Sequence, residues 1–500
     1  MKVVLEKYQK MMSNRTSVLM AVLLLLGLGL RLLDLTDPPL DFHPTRQYRG
    51  ALIARSIYYD MLPDADPERR ELASEMRSDF PEFEPPLLET VVALGYILLG
   101  SEQLWLARLI VSLFWVLGGW GLYLLVKRTV SAESALVSLA YYLFLPFAVY
   151  ASRSFQPDPL MTVAIIFTTY SAMRWAEEQN WKWAILTASC AVLAVIAKVV
   201  AAYMIAGLMF AVVLHIGLRR AMRQPQVWMM AAIMFILPGS YYFLSIGESS
   251  SNYFQNWMVA LMPLVLERSF YVGWLRRLYS FNRLALLAAL AGFALSRRGL
   301  GRKMLIGLLV GYVVYGFTLP HQTMTHNYYH IQFTPVVAWC LAYAVQWMLD
   351  QLGGYDKQLP VLGLSALLLA SLLPAAVAAH TLLKEDHRHE PGYWVYIAEQ
   401  VPEDGQTIGL VQQYGHLLMY YGWKEVALWP PSGELYLAEL RGNPNVEDFP
   451  AFFKHKTEGM DYFLITSFNQ FERQEELYDH LYASYQIHAE GQGYLVFDLQ

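Results

Sequence analysis

What most constrains this chain is a series of long apolar runs separated by short charged connections, at residues 17–33, 104–125, 132–150, 159–175, 183–197, 199–218, 227–246, 284–295, 304–319, 333–348 and 360–379. A bilayer crossing needs roughly 20 consecutive apolar residues, whereas a helix of a soluble core keeps a polar face. The expected fold class is therefore a polytopic α-helical membrane protein with about eleven spans. Composition agrees, since 56% hydrophobic and 16% charged side chains leave too little polar surface to coat 500 residues. Cut after His380, the first part carries 30 Lys+Arg against 23 Asp+Glu and the remainder 7 against 19, a balance of +7 and −12. Such an acidic remainder argues against nucleic acid as a partner, and the apolar content excludes a disordered chain. Cys190 and Cys340 fall in separate apolar runs, which makes a structural disulfide improbable.

Charge orients the spans. Lys2, Lys7, Lys10 and Arg15 precede the first run, and no small-residue cleavage site follows it, so an uncleaved span with a cytoplasmic N-terminus is expected. Lys127/Arg128, Arg174/Lys182, Arg219/Arg220/Arg223, Arg297/Arg298/Arg302/Lys303 and Lys357 then fall on every second connection, the side shared with the N-terminus. An odd number of spans puts residues 381–500 outside, on the face of the long segment 34–103. Two domains are expected: a membrane domain at 1–380 and an extracytoplasmic α/β domain at 381–500, where short strand and helix patterns alternate from residue 407 to 499.

The segment 34–103 breaks the charge rule by carrying Arg46, Arg49, Arg55, Arg69, Arg70 and Arg77 on the outer face. Long loops translocate regardless of charge, which suffices for the last three. The first three lie close to a membrane-adjacent carboxylate and read as anion ligands. Residues 48–61 and 83–99 are expected to form amphipathic helices along the outer surface, as is the stretch 254–278 of a later outer loop.

Candidate chemistry collects on this face. Asp37-Pro38-Pro39-Leu40-Asp41-Phe42-His43-Pro44-Thr45-Arg46 places a carboxylate, an imidazole and a guanidinium beside the end of the first span; the structural alternative is a polar turn. Ser152-Arg153-Ser154-Phe155-Gln156-Pro157-Asp158-Pro159 supplies a second acid, although aspartate before proline is also an ordinary helix N-cap. Lys198 interrupts two apolar runs, where an ionised amine needs an interface, a partner or a bound anion, with snorkelling as the alternative. His321, His326, Tyr328, Tyr329 and His330 crowd one outer loop; with the carboxylates they make a divalent metal conceivable, but their spacing matches no ligand motif and the metal remains open.

These residues, in this order, resemble the GT-C glycosyltransferases that use polyprenyl-phosphate-linked sugars, in particular protein O-mannosyltransferases and lipid A aminoarabinose transferases. The resemblance spans residues 1–380 and implies that Asp41 is the catalytic carboxylate that opens the first outer loop. Family members often follow that aspartate with glutamate; here Phe42-His43 stands instead, and His43 takes the place of the second acid. Phe83-Glu84-Pro85-Pro86-Leu87 resembles the paired-proline motif of a surface helix, with Glu84 where the aminoarabinose branch tends to carry lysine. Arg108, Arg153 with Asp158, Lys198, and Tyr328-Tyr329 before Pro335 resemble further family positions.

The implied function is transfer of a sugar from a polyprenyl phosphate to a protein, lipid or glycan acceptor at the outer face of a prokaryotic cell membrane. Asp41 and Asp158 would be catalytic, with His43, Arg46, Glu84, Arg108, Arg153, Lys198, His326, Tyr328 and Tyr329 binding substrate. A general base typically contributes ~10²–10⁴-fold. The other classes are a secondary transporter, which would show repeated halves and helices broken near the membrane centre, whereas this sequence shows no repeat and gathers its charges at one face, and a receptor or scaffold working through residues 381–500.

Overall fold

The computed structural model describes residues 2–78, 80–81, 83–442 and 448–500, with side chains from Arg15 onward. Lys2, Lys7 and Lys10 thus lie outside the described side chains. The chain divides into two compact units, one comprising Met1–Leu35, Glu82–Leu87 and Trp105–Glu385, the other Thr36–Pro81, Leu88–Leu104 and Asp386–Gln500.

The first unit is helical. Among the described residues, four helices are long and apolar enough to cross a membrane: Leu104–Thr129, Pro225–Ser245, Leu300–Thr318 and Leu359–Lys384. A fifth joins them if the bent pair Gly247–Leu266 and Arg268–Asn282 is one span. Ala132–Phe144, Trp181–Ala197, Ala201–Ile216 and Leu284–Leu295 are apolar but shorter. At 1.5 Å per residue a 12-residue helix reaches roughly 18 Å, against about 30 Å of hydrocarbon. The apolar runs therefore do not map one to one onto long helices. Run 132–150, for example, is two helices, Ala132–Phe144 and Pro146–Ala151, because Pro146 restarts the backbone.

Helices Ala201–Ile216 and Leu300–Thr318 touch through their main chains. A Cβ on Gly207 would collide with the Gly307 carbonyl, one on Gly307 with the Gly207 carbonyl, and one on Gly311 with that of Tyr203. The spacing Gly307-x-x-x-Gly311 is what lets membrane helices approach this closely. Because Gly207 meets Gly307 while Tyr203 meets Gly311, the two helices run antiparallel. Both cysteines are free, Cys340 buried and Cys190 half-buried.

The amphipathic stretch 254–278 is not one helix. A π-helix at Phe254–Val259 and a 3₁₀ turn at Met262–Leu266 precede helix Arg268–Asn282, and the segments on either side of Glu267 differ in direction by 102°. Extended backbone at Glu267, just after the turn that contains Pro263, makes the break.

In the second unit, Thr36–Pro81 and Leu88–Leu104 cluster with the chain after Asp386. The surface helix read at 48–61 runs Pro44–Met61, with proline in its first turn; Pro67–Ser78, which the apolar pattern did not show, follows it. Beyond Asp386 lies a mixed sheet of β1 (Thr407–Leu410), β2 (Ala427–Leu428), β3 (Tyr462–Ile465), β4 (Gln486–Gly491) and β5 (Tyr494–Asp498), in the order β2-β1-β3-β5-β4. β1 is parallel to β2 and β3, and β5 is antiparallel to β3 and β4. Ile408, Leu410, Phe463, Ile465, Leu495 and Phe497 form its core with Trp429, Phe453, Leu477 and Leu481. Among the alternating patterns, the stretch 446–455 is expected as a helix and is found as Phe449–Lys456; residues 446 and 447 lie outside the described residues.

Candidate functional site

In the first unit, the loop after helix Pro146–Ala151 is buried from Ser152 to Gln156. Asp158 opens helix Asp158–Glu178, yet its carboxylate does not cap it: the N-cap is Pro157, with no side-chain cap bond. Instead Lys198 Nζ donates to Asp158 Oδ1 at 2.8 Å, with both side chains at most 5% exposed. Lys198 adopts an extended conformation between helices Trp181–Ala197 and Ala201–Ile216, so its side chain leaves the helical path rather than snorkelling along it. Its ammonium also lies 4.3 Å from the ring centre of Tyr329 and 4.9 Å from that of Tyr328. A cation over two buried tyrosines is attracted by both ring faces. The structure thus brings Asp158, Lys198, Tyr328 and Tyr329 together.

Their setting is cationic. Arg153 Nη2 donates to the Asp34 carbonyl at 3.1 Å and Arg108 Nη1 to the Leu35 carbonyl at 3.3 Å, so both guanidiniums reach the chain that leaves the first helix. Sequence reasoning missed a third. Arg31, fully buried, donates to Ser152 Oγ at 2.7 Å and to the Gly27 and Leu143 carbonyls, tying the first helix to the loop of Arg153 and Asp158. A charge inside the apolar run 17–33 was the signal that could have found it.

The loop carrying Tyr328 and Tyr329 is pinned by a group also not singled out beforehand. The Tyr312 hydroxyl bonds His330 Nδ1, and His330 Nε2–H donates to the Thr323 carbonyl at 2.8 Å. Burial pushes this imidazole down to about 4, so it is neutral near pH 7. His326 stands beside Tyr328 and Tyr329, with ring centres 5.6 and 5.9 Å away, and its Nδ1 bonds Thr325 Oγ1. Glu84 is half-buried ahead of helix Leu87–Leu99, where its charge acts on Tyr242.

In the second unit, Asp41 sits half-buried in the turn that leads into helix Pro44–Met61. The Gln47 amide organises that turn, donating to Phe42 O at 2.7 Å, to Pro39 O at 3.1 Å and, at the long distance of 3.5 Å, to Asp41 Oδ1. His43 takes a left-handed conformation, φ 46 and ψ 66, just before the helix, with its ring edge-on to Phe42. Such backbone costs a non-glycine residue of order 1–3 kcal/mol and persists only where the surroundings impose it. Arg46 is half-buried on the first helical turn. Asp37, not singled out, is the buried acid here: it accepts from the His387 amide at 2.9 Å.

One expectation is corrected. Arg55 is not placed as an anion ligand; Nε donates to Glu102 at 2.9 Å, and the guanidinium is sandwiched 4.0 Å from Tyr420 and 4.1 Å from Trp423. With its charge paired and both faces covered, it acts as a clamp between helices Pro44–Met61 and His416–Gly422. Arg49 likewise donates to the Pro81 carbonyl. Among the described residues, no three His, Cys, Asp or Glu side chains come together in a way that could hold a metal ion.

Residues 83–242 match the family model of dolichyl-phosphate-mannose-protein mannosyltransferase. No curated protein matches the chain in sequence. Among solved structures, ArnT from Cupriavidus metallidurans in the apo state is similar over 97% of this chain and 98% of its own, at 14% identity and a TM-score of 0.61. The same protein bound to undecaprenyl phosphate matches over the same shares, at 15% and 0.56. The oligosaccharyltransferase AglB from Archaeoglobus fulgidus, in complex with an inhibitory peptide and a dolichol-phosphate, matches over 91% of this chain and 69% of its own, at 12% and 0.60. These likenesses show a shared fold.

Proposed function

Starting from that shared fold, we propose that this chain is a GT-C membrane glycosyltransferase that moves a sugar from a polyprenyl phosphate to an acceptor hydroxyl. The observation that carries the reading is the buried Lys198–Asp158 pair braced by Tyr328 and Tyr329, in a unit that also buries Arg31, Arg108 and Arg153. Burying an ion costs several kcal/mol unless it is matched, so a cation-rich interior suits an anionic ligand. The relatives whose structures hold undecaprenyl phosphate and a dolichol-phosphate support a lipid phosphate as that ligand.

In this reading Asp41 is the general base. Its carboxylate takes the proton of the acceptor hydroxyl as the oxygen attacks the anomeric carbon. The bond from that carbon to the phosphate oxygen breaks, and the departing phosphate needs no proton where cations receive its charge. Arg46, Arg108, Arg153 and Lys198 are the groups for this, guanidinium through paired hydrogen bonds and ammonium as a point charge. Asp158 holds Lys198, His43 supports Asp41, and Glu84, His326, Tyr328 and Tyr329 shape the sugar's surroundings. Direct displacement inverts the anomeric centre.

We place about eleven crossings in residues 1–380, with a cytoplasmic N-terminus and residues 381–500 outside, in a prokaryotic cell membrane. A lipid-linked sugar fits this geography, because its tail dissolves only in the bilayer and its sugar phosphate only in water.

The test is transfer of radiolabelled sugar from polyprenyl phosphate by purified protein, with Asp41→Asn beside the parent and with a chelator arm. A drop of ~10²–10⁴-fold in Asp41→Asn is expected. Full activity in that variant rejects the base, a retained anomeric configuration rejects direct displacement, and loss on chelation adds a metal to the mechanism.

A further inference from the structure

The sheet after Asp386 contains a cleft that the transfer reaction does not use. It encloses about 400 Å³, within the range of small-molecule sites. Its walls come from Trp429 just after β2, from one face of helix Ser432–Leu440, from the start of helix Phe449–Lys456, and from Arg473–Leu477 at the start of helix Glu475–Ser484. Trp429 and Ser432 lie just past the carboxyl end of β2, the edge of an open α/β sheet where ligands dock.

The lining combines aromatic rings with carboxylates. Tyr436, Phe449 and Phe452 offer exposed or half-buried ring surface, while Glu439, Glu475 and Glu476 face them with Arg473 as the one cation. The rest of the cleft is built to stay in place: the Gln474 side chain accepts from Trp429 Nε1 at 2.8 Å and donates to the Pro430 carbonyl at 3.1 Å. One group has no such structural employment. Glu439 lies exposed in the last turn of its helix, where the helix dipole disfavours an anion, and forms no ion pair among the described residues. Glu475 and Glu476 occupy a first turn, where the dipole favours them and explains them. Glu439 is the acid that local stability does not account for.

We propose that this cleft binds an alkylammonium group, seated on the aromatic rings with its charge toward Glu439. Ring faces attract such a cation, the three carboxylates outnumber the one guanidinium, and residues 381–500 carry 19 acidic against 7 basic side chains, so cations are drawn to this part of the chain. The same chemistry serves a free polyamine or a lysine side chain.

Calorimetric titration of the full-length protein in detergent tests this, with spermidine and trilysine as ammonium probes and glutamate as the anionic control. Saturable binding of at least one ammonium probe and none of glutamate is expected, weakening as salt rises to ~0.15 M. Glu439→Gln and Tyr436→Ala, both at exposed positions, should each weaken it about fivefold or more, while Glu458→Gln, an exposed acid in the turn before β3, should not. Trilysine binding alone assigns a peptide lysine, and spermidine alone a small amine. No saturable binding, or equal loss in Glu458→Gln and Glu439→Gln, overturns the proposal. Because no readout involves sugar transfer, its failure is separable from failure of the transferase reading.

Discussion

Removing either partner of the Lys198–Asp158 pair should be damaging, and the two losses should not add. The pair is 2.8 Å long and nearly free of solvent, so its attraction is worth about 6 kcal/mol at an effective dielectric of ~20. That gain is largely offset by the cost of taking both ions out of water, which leaves the net value of the pair small. Lys198→Met abandons a buried carboxylate and should cost about 3–5 kcal/mol. Asp158→Asn abandons a buried ammonium, but the Tyr328 and Tyr329 rings remain beneath it and return about 1–2 kcal/mol. The helix dipole steadies the lone carboxylate of Lys198→Met by about 1 kcal/mol at most, so Asp158→Asn should be the milder variant. The double variant removes both charges and should recover about 2–3 kcal/mol relative to the sum of the single losses. Unfolding in mixed micelles of rising dodecyl sulfate fraction, read by tryptophan fluorescence, measures all four proteins. Strict additivity of the two single losses would refute the pairing on which the candidate site rests.

Three further outcomes follow from other parts of the structure. Gly307→Leu drives a side chain into the Gly207 carbonyl and should cost about 3 kcal/mol or prevent folding, read by monodisperse yield, whereas Gly29→Ala meets nothing within 4 Å and should be near neutral. His416 is buried beside Arg46 and Arg49 and pushed from 6.5 down to about 4, so the unfolded chain binds its proton first. Stability from this group is complete above pH 6.5 and is lost as pH falls toward 4, by about 3 kcal/mol; melting temperatures of the parent and His416→Gln should converge across that window. Arg55→Lys keeps the charge but not the flat group between Tyr420 and Trp423, and should destabilise by about 1–3 kcal/mol in chemical unfolding, an effect absent from Arg298→Lys at an exposed position if the stack is what matters.

The membrane character was plain in the sequence because apolar runs are one-dimensional signals. So was Lys198, since a lysine between apolar runs demands an explanation before any fold is known. Its partner was not identifiable, because Asp158 lies 40 residues away and an aspartate before proline has an ordinary local use. Arg31 escaped attention by resembling a boundary residue, although two hydrogen bonds, to Ser152 and to the Leu143 carbonyl, tie it to another segment. Arg55 misled for the opposite reason: its place among other arginines suggested a ligand, while Tyr420 and Trp423, which occupy it, are more than 360 residues further on. Strand β4 stayed hidden because it is an exposed edge whose residues, Gln486–Gly491, carry no alternating apolar face.

The contact of Gly207 with Gly307 reaches beyond packing. Lys198 lies just before the first of those helices, and Tyr328 and Tyr329 lie just beyond the second, at the same end of the antiparallel couple. Two helices pressed main chain to main chain have little freedom to slide, so the helix ends from which Lys198 and the tyrosine-bearing loop depart keep a fixed spacing, and the contact between ammonium and rings inherits that stiffness.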